Sequence, residues 1–225
     1  MGVRRALSRP RGQGRREHRK HVTRRELLAA GRRLFSEKGL YDSRIEDLSR
    51  EAGIGKGTLY LYFESRERLI EAVVRNGFTE LLGFVHREAQ AATSHREVVA
   101  RVAQAHLTFF GENPDLLRVF HQVRGLIKFN GPAWRPLRRA LEEYLGGLAH
   151  VLCLQHPAWR GTDRMPRDVA KLLFGAVSGV TSVRASLNGT VPKRAHQGAT
   201  VRALVGLVLA YEGPGGLRVE RTDAR

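Results

Sequence analysis

The sequence predicts an all-α protein of about nine helices, with a small N-terminal three-helix helix-turn-helix domain followed by a larger helical domain. Apolar residues recur at helical spacing from about residue 23 to about residue 211, and no sustained alternation of apolar and polar residues indicates a strand. Prolines fall near the predicted junctions, where a helix start tolerates them. We therefore expect a basic arm at 1–22, a first domain at 23–70, a second at 71–212 and a flexible tail at 213–225.

Basic residues dominate the charge, and the formal net value is +17. Such an excess attracts polyanions, with nucleic acid ahead of an anionic membrane surface. Residues 1–22 hold eight arginines and lysines against Glu17 alone, which predicts disorder in isolation. Two interpretations stay open for this arm: a solubilising tail, or a segment that tracks phosphates or enters a minor groove.

Several classes of protein are disfavoured by composition. Cys153 is the single cysteine, which excludes an intramolecular disulfide and any cysteine-based metal site. No apolar run approaches the about 18 residues of a transmembrane helix, and no apolar stretch follows the basic N-terminus as in a secretory signal. The sequence therefore predicts a cytoplasmic protein without a membrane partner, a metal or a cofactor.

Capping patterns predict where the first two helices begin and end. Thr23 and Glu26 have the spacing of a capping box, and Gly39 suits the end of that helix. Ser43 and Glu46 have the same spacing and predict the start of the second helix.

A glycine then separates two short helices. Gly53 can take a positive φ at a tight turn, and Ile54 can fill the gap between the helices. Leu48 before the turn and Leu59 after it supply a shared core, so a third helix is expected from about Lys56 to residue 63 and a fourth from near residue 65. This is the pattern of a helix-turn-helix, whose second helix enters the major groove of DNA.

The same stretch resembles the TetR family of transcriptional regulators over roughly residues 23–75. The matching pieces are Glu-Asp-Leu at 46–48, Gly-Ile at 53–54, Lys-Gly-Thr-Leu-Tyr-Leu-Tyr-Phe at 56–63 and Ser-Arg-Glu-Arg-Leu at 65–69. Two residues depart from the family pattern. Gly55 replaces a serine that usually caps the recognition helix, and Leu61 replaces a commonly polar residue, which would remove one phosphate contact.

Residues on both sides of the turn are predicted to face DNA. Lys56 can reach guanine acceptors, and Thr58 can meet a phosphate or a thymine methyl group. Arg44 can reach a base edge or a phosphate, the helix start at Ser43 suits a phosphate, and Arg66 is interpreted as a phosphate clamp. Tyr60 is either a DNA contact or mainly a packing residue. The complete predicted set is Ser43, Arg44, Lys56, Gly57, Thr58, Tyr60, Tyr62 and Arg66.

Residues 53–58 also partly match a phosphate-binding loop. That loop requires glycine directly before lysine and follows a buried strand, whereas Gly57 here follows Lys56 and a polar-faced helix precedes the motif. The spacing therefore argues against a nucleotide triphosphatase.

Five longer helices are predicted after residue 90, at about 95–110, 115–129, 134–155, 167–188 and 197–211. The resemblance implies a small-molecule effector pocket among them, and aromatic residues with a few polar groups suit such a site. The candidate ligand residues are His106, Phe110, His121, Arg124, Trp134 and Tyr144. Ordinary core packing is the competing interpretation of these aromatics. No nucleophile–base pair or metal-like histidine spacing is visible, so no catalytic residue and no enzyme activity is predicted.

Small residues on one face of the helix near 167–188 indicate close packing against another helix. Gly175 and Gly179 are four residues apart, and each glycine costs a helix about 1 kcal/mol relative to alanine. The resemblance implies a homodimer through the helices near 167–188 and 197–211. Internal packing within one chain is the alternative.

Together these observations predict a homodimeric, ligand-responsive regulator, most simply a repressor, that binds double-stranded DNA at a palindromic operator and responds to an effector whose identity stays open. A nonspecific chromosome-associated protein and an α-helical enzyme are the rival hypotheses.

Overall fold

The computed structural model describes residues 13–127, 134–156, 159, 164–188 and 197–212, and within them the chain forms nine α-helices and no strand. The prediction of an all-α fold of about nine helices is therefore confirmed. The helices are α1 (Gln13–Lys38), α2 (Ile45–Glu51), α3 (Lys56–Tyr62), α4 (Arg66–Ala89), α5 (His95–Glu112), α6 (Pro114–Ile127), α7 (Arg135–Leu152), α8 (Arg164–Asn188) and α9 (Gly198–Glu212).

The start of α1 differs from the sequence prediction. The helix begins at Gln13 rather than at Thr23, so residues 13–22, predicted to belong to a disordered arm, are helical. Arginine, lysine, glutamine and glutamate are good helix formers, so a basic stretch can extend a helix that tertiary packing anchors further along. Residues 1–12 of the predicted arm and the predicted tail at 213–225 lie outside the described residues.

The chain divides into two compact units, residues 1–73 and 74–225, with the boundary inside α4. In the first unit, Leu48 of α2 and Leu59 of α3 are completely buried, as their place in a shared core requires. Gly31 of α1 allows α4 to approach, since a Cβ there would lie 3.1 Å from a methyl group of Val73. The guanidinium of Arg24 lies 5.3 Å from the centre of the Phe63 ring, a cation–π contact.

In the second unit, α5 contacts α6, α7, α8 and α9, and α7 also packs along α8. Val98, Val99 and Val102 of α5 are fully buried at this centre. The five helices of this unit from α5 onward begin and end within a few residues of their predicted spans. No helix in the described ranges has both the length and the hydropathy that crossing a bilayer requires.

Candidate nucleic-acid interface

The turn between α2 and α3 is closed by two hydrogen bonds between the same pair of residues. The amide of Ile54 donates to the carbonyl of Ser49 at 3.0 Å, and the Ser49 hydroxyl donates to the carbonyl of Ile54 at 2.5 Å. Gly53 between them has φ +64°, a left-handed conformation that favours glycine. The turn therefore has the geometry that the Gly53–Ile54 pattern predicts, and the hydroxyl of Ser49 adds a second bond that closes it.

Helix α3 buries one side and leaves the other open. Leu59 is fully buried, and Phe63 directly after the helix is 3% exposed. Lys56, Gly57 and Thr58 are exposed, and Tyr60 is 43% and Leu61 85% exposed, whereas Tyr62 is half-buried. The helix following the turn thus presents polar, aromatic and aliphatic groups together on its free side.

Lys56 pairs with Glu46 of α2. The Lys56 ammonium lies 2.5 Å from the Glu46 carboxylate, and both side chains are about half exposed. The bond lowers the pKa of Glu46 and raises the pKa of Lys56, so both groups stay charged at neutral pH. Glu46 was predicted to complete the cap of α2 but instead links the two helices of the motif.

The cap of α2 lies one residue later than predicted. Arg44 is the N-cap residue, and its backbone amide donates to the Asp47 carboxylate at 3.2 Å. This bond, together with the Lys38 ammonium, lowers the pKa of Asp47. The Arg44 side chain is exposed, which leaves its guanidinium available to an external anion.

Ser43 is not the cap of α2, and the prediction that it forms a capping box with Glu46 is wrong. The residue is 2% exposed, and its hydroxyl donates to the carbonyl of Gly39 at 2.5 Å. It therefore closes the loop between α1 and α2 from inside.

Arg66 has a similar internal role. Its Nε donates to the Ser43 carbonyl at 2.7 Å, and its Nη2 donates to the carbonyls of Leu40 and Tyr41. Its Nη1 lies 3.6 Å from the Glu67 carboxylate. The guanidinium predicted to clamp a phosphate is thus engaged with the loop between α1 and α2 and braces the start of α4 against it.

Three of the predicted effector residues meet in the second unit. His106 and Phe110 are fully buried and Tyr144 is 2% exposed. The His106 Nδ1 lies 2.7 Å from the Val102 carbonyl, which can only accept, so Nδ1 carries the proton and Nε2 accepts from the Tyr144 hydroxyl. Burial lowers the pKa of His106 to about 4 and raises the pKa of Tyr144.

Aromatic rings enclose this polar pair. Phe78 stacks on Phe120 with ring centres 4.3 Å apart and on Tyr144 at 4.9 Å, and Phe174 meets the edge of Tyr144 at 5.1 Å. Sequence reasoning missed Phe78 and Phe174, because their helices meet only in the folded chain. The pair is therefore a buried polar group within an apolar shell.

The other three predicted effector residues have different surroundings. The exposed Arg124 donates from Nη1 to the Ser178 hydroxyl at 3.3 Å. His121 is half-buried, and its Nε2 has no hydrogen-bond partner among the described residues. Burial, and then the Arg124 charge, lower the pKa of His121. Trp134 is half-buried and is the N-cap residue of α7. In the described ranges, no cluster of three or more histidine, cysteine, aspartate or glutamate side chains could hold a metal ion.

Residues 27–73 match the sequence profile described as "Bacterial regulatory proteins, tetR family". This segment of the chain therefore resembles the TetR family. The chain is 42% identical over 57 residues to the uncharacterized HTH-type transcriptional regulator YvdT of Bacillus subtilis, an alignment that covers 25% of this chain and 29% of YvdT. It is 35% identical over 72 residues to the HTH-type transcriptional repressor KstR2 of Mycolicibacterium smegmatis, covering 32% of this chain and 35% of that repressor. The chain thus matches about a third of the length of these two relatives.

Solved structures extend the likeness beyond the matched segment. The transcriptional regulator FadR of Bacillus subtilis, in complex with stearoyl-CoA, superposes with a TM-score of 0.67 at 18% identity over 83% of this chain and 97% of FadR. The fatty acid degradation regulator FadR of Bacillus halodurans gives a TM-score of 0.68 at 19% identity over 87% of this chain and 96% of that one. At these identities the comparison shows that both proteins share the fold of this chain.

Proposed function

We propose that this chain is a sequence-specific DNA-binding transcriptional regulator of the TetR family, acting as a homodimeric repressor on a palindromic operator and released by a small molecule. The exposed side of α3 carries the proposal: a turn at Gly53 is followed by a helix whose apolar anchors Leu59 and Phe63 are buried and whose polar residues are open. A helix of this kind can enter the major groove. The net charge of +17 favours association with a polyanion.

Lys56 and its neighbours are the proposed reading residues. In the free protein Lys56 pairs with Glu46, and on DNA we expect it to exchange that carboxylate for the acceptors of a guanine. Arg44 is exposed beside the same motif and is proposed to contact a phosphate or a base edge. Gly57, Thr58, Tyr60 and Tyr62 complete the proposed contact set. Ser43 and Arg66 are assigned instead to holding the loop that supports it.

A binding selection followed by matched variants tests this proposal. Duplexes bound by the full chain are selected from a random pool, and affinity is compared between the selected sequence and random DNA at several salt concentrations. Binding should weaken steeply with salt, by a slope of about 0.9 for each phosphate neutralised. Lys56→Ala should reduce the preference for the selected sequence by about tenfold per half-site, the scale of one lost base contact, and therefore by about 100-fold over the two half-sites.

Lys171→Ala is the matched control. Lys171 is also an exposed lysine paired with a carboxylate, that of Asp168 at 2.9 Å, but it lies on α8. Its loss removes the same charge and should leave the preference for the selected sequence unchanged. No enriched sequence would favour the nonspecific chromosome-associated rival, and equal losses on selected and random DNA from Lys56→Ala would remove Lys56 from the reading residues.

Open glycines and exposed apolar side chains support the homodimer. Apart from the neighbouring residues and the backbone of their own helices, no described heavy atom lies within 4 Å of where a Cβ would sit at Gly175, Gly179 or Gly206. Val183, Leu187 and Leu207 on the same two helices are exposed, with Leu187 at 78%. Packing within the described part of the chain leaves these side chains exposed and these glycine positions uncovered. A second copy of the chain packed on α8 and α9 would bury them.

Sedimentation equilibrium of charge-insertion variants tests the dimer. Leu187→Glu should yield a monomer, because a carboxylate would be buried at the interface without a partner. Leu61→Glu, at an exposed leucine of α3 and so outside the proposed interface, should remain a dimer. If the wild type is monomeric, or if Leu187→Glu remains dimeric, this part of the proposal is wrong.

The His106–Tyr144 pair is the proposed centre of the effector site. A few polar groups inside an apolar shell are typical of small-molecule sites. A FadR neighbour was solved with stearoyl-CoA, which makes a long-chain acyl thioester the first probe. An effector lowers DNA affinity only as far as it binds the state with weaker DNA affinity more tightly. Stearoyl-CoA should raise the Kd for the selected duplex, and no change at saturation would exclude this ligand class.

A further inference from the structure

Leu61 is exposed to an extent that the fold does not require. Its side chain is 85% exposed, more than any other large apolar side chain in the described part of the chain. Leu59 and Phe63 on the opposite side already anchor α3 in the core. A lone exposed leucine is ordinary on a protein surface, so its meaning depends on what lies beside it.

Its neighbours on the helix surface are Gly57 and Thr58. Residues three and four apart share a face of a helix, so Leu61 lies on the same side of α3 as these two residues. Apart from the neighbouring residues and the backbone of its own helix, no described heavy atom lies within 4 Å of where a Cβ would sit at Gly57. The missing side chain leaves room for an incoming group to touch Leu61 and the methyl group of Thr58 together.

The chemistry of Leu61 restricts what that group can be. Leucine makes no hydrogen bond and gains nothing from a phosphate. Most groups on base-pair edges in the major groove are hydrogen-bond donors or acceptors, and the thymine C5-methyl is the apolar group among them. We propose that Leu61 is a specificity-determining residue that reads a thymine methyl group in each half of the operator. This inference rests on the proposed function, because it requires α3 to enter the major groove.

The test replaces single thymines of the selected duplex by deoxyuridine, which lacks only the methyl group. Both half-sites are substituted symmetrically, and Kd is measured by fluorescence anisotropy at fixed salt. At one thymine position the wild type should lose about fourfold in affinity per half-site, the factor that corresponds to about 0.8 kcal/mol for one buried methyl group. Over two half-sites the expected loss is about 16-fold.

Variants assign the effect to Leu61. In Leu61→Ala the ratio of deoxyuridine to thymine Kd at that position should fall to about one, because the partner of the methyl group is gone. Leu61→Met keeps an apolar side chain and should keep most of the ratio. Thr58→Ser removes the threonine methyl group next to the gap and should reduce the ratio only partly. Alanine is the best helix former, so Leu61→Ala should fold, which circular dichroism checks.

The outcomes separate this inference from the proposed function. An enriched sequence with equal Kd for thymine and deoxyuridine at every position overturns the reading by Leu61 and leaves the DNA-binding function intact. An undiminished ratio in Leu61→Ala does the same and points to another residue. If no sequence is enriched from the pool, both the reading of thymine by Leu61 and the proposed sequence-specific function are wrong. The exposed Leu61 would then be a candidate for a contact with another protein.

Discussion

Lowering the pH from about 7 to about 5 should cost this protein stability through one residue, His106. The imidazole is completely buried, and burial lowers its pKa from 6.5 to about 4. Its Nδ1 proton is held by the Val102 carbonyl and its Nε2 accepts from Tyr144. Protonating Nε2 would therefore require the Tyr144 hydroxyl to turn its proton elsewhere, in an apolar shell that offers a charge no solvation.

The sign and size of the effect follow from proton linkage. Between about pH 6.5 and about pH 4 the unfolded chain binds a proton at this residue and the folded chain does not, so acid favours the unfolded state. Stability from this group is fully present above the unfolded pKa and is lost as the pH falls toward 4. One pKa unit corresponds to about 1.4 kcal/mol, and integration from about pH 7 to about pH 5 gives a loss of about 2 kcal/mol.

Urea unfolding of the wild type and of His106→Gln at the two pH values measures this loss. Other groups, among them the half-buried His121, titrate in both proteins and cancel in the comparison. The wild type should lose about 2 kcal/mol more than His106→Gln on acidification. His86→Gln, which removes an exposed imidazole from the same unit, is the matched control for the substitution itself.

Equal losses in the wild type and in His106→Gln would refute the reasoning, since they would show that His106 titrates alike in both states. A second measurement covers a variant too unstable to compare. In the folded wild type, the imidazole resonances of His106 should show a neutral ring from about pH 7 to about pH 5. A ring that gains charge in that interval would equally contradict the buried, neutral assignment.

Three further predictions address the turn, the lysine pair and the buried hydroxyl. Gly53→Ala should lose about 1–2 kcal/mol in urea unfolding, because φ is +64° and nothing lies within 4 Å to add a clash; an unchanged midpoint would contradict it. Glu46→Gln should tighten binding to random DNA and steepen its salt dependence by up to about one phosphate, since it frees Lys56; weaker binding would contradict it. Tyr144→Phe should cost about 1–3 kcal/mol at neutral pH, because it leaves the Nε2 of His106 without a donor; a loss near zero would contradict it.

The sequence could predict the helices and the turn because those depend on local signals. Periodic apolar residues fix the faces of the helices, and Gly53 marks a backbone conformation that other residues rarely adopt. The cap of α2 was misplaced by one residue because two overlapping patterns fit the same stretch. Ser43 with Glu46 and Arg44 with Asp47 both have the spacing of a cap, and only the loop carbonyl at Gly39 decides between them.

Long-range hydrogen bonds lie beyond this kind of prediction. Arg66 follows the recognition helix, where an arginine beside a phosphate is the natural expectation. Its actual acceptors include the carbonyls of Leu40 and Ser43, more than twenty residues earlier in the chain. Every residue has a backbone carbonyl, so the sequence does not show which carbonyls will accept a hydrogen bond from Arg66. Only the fold shows that its guanidinium binds the loop between α1 and α2.

Leu61 shows a different limit of sequence-based prediction. The sequence gives the residue type, but it does not show how far the side chain is exposed. From the sequence, a leucine at this position only removes a polar group that could meet a phosphate. In the structure the same leucine is 85% exposed beside an open glycine. Phosphate contacts position a protein on any duplex, whereas contacts to base edges distinguish one sequence from another. A polar residue at this position could contact a phosphate, which every DNA sequence offers. Leu61 cannot make that contact, and the proposed contact with a methyl group requires a thymine at one position of the operator.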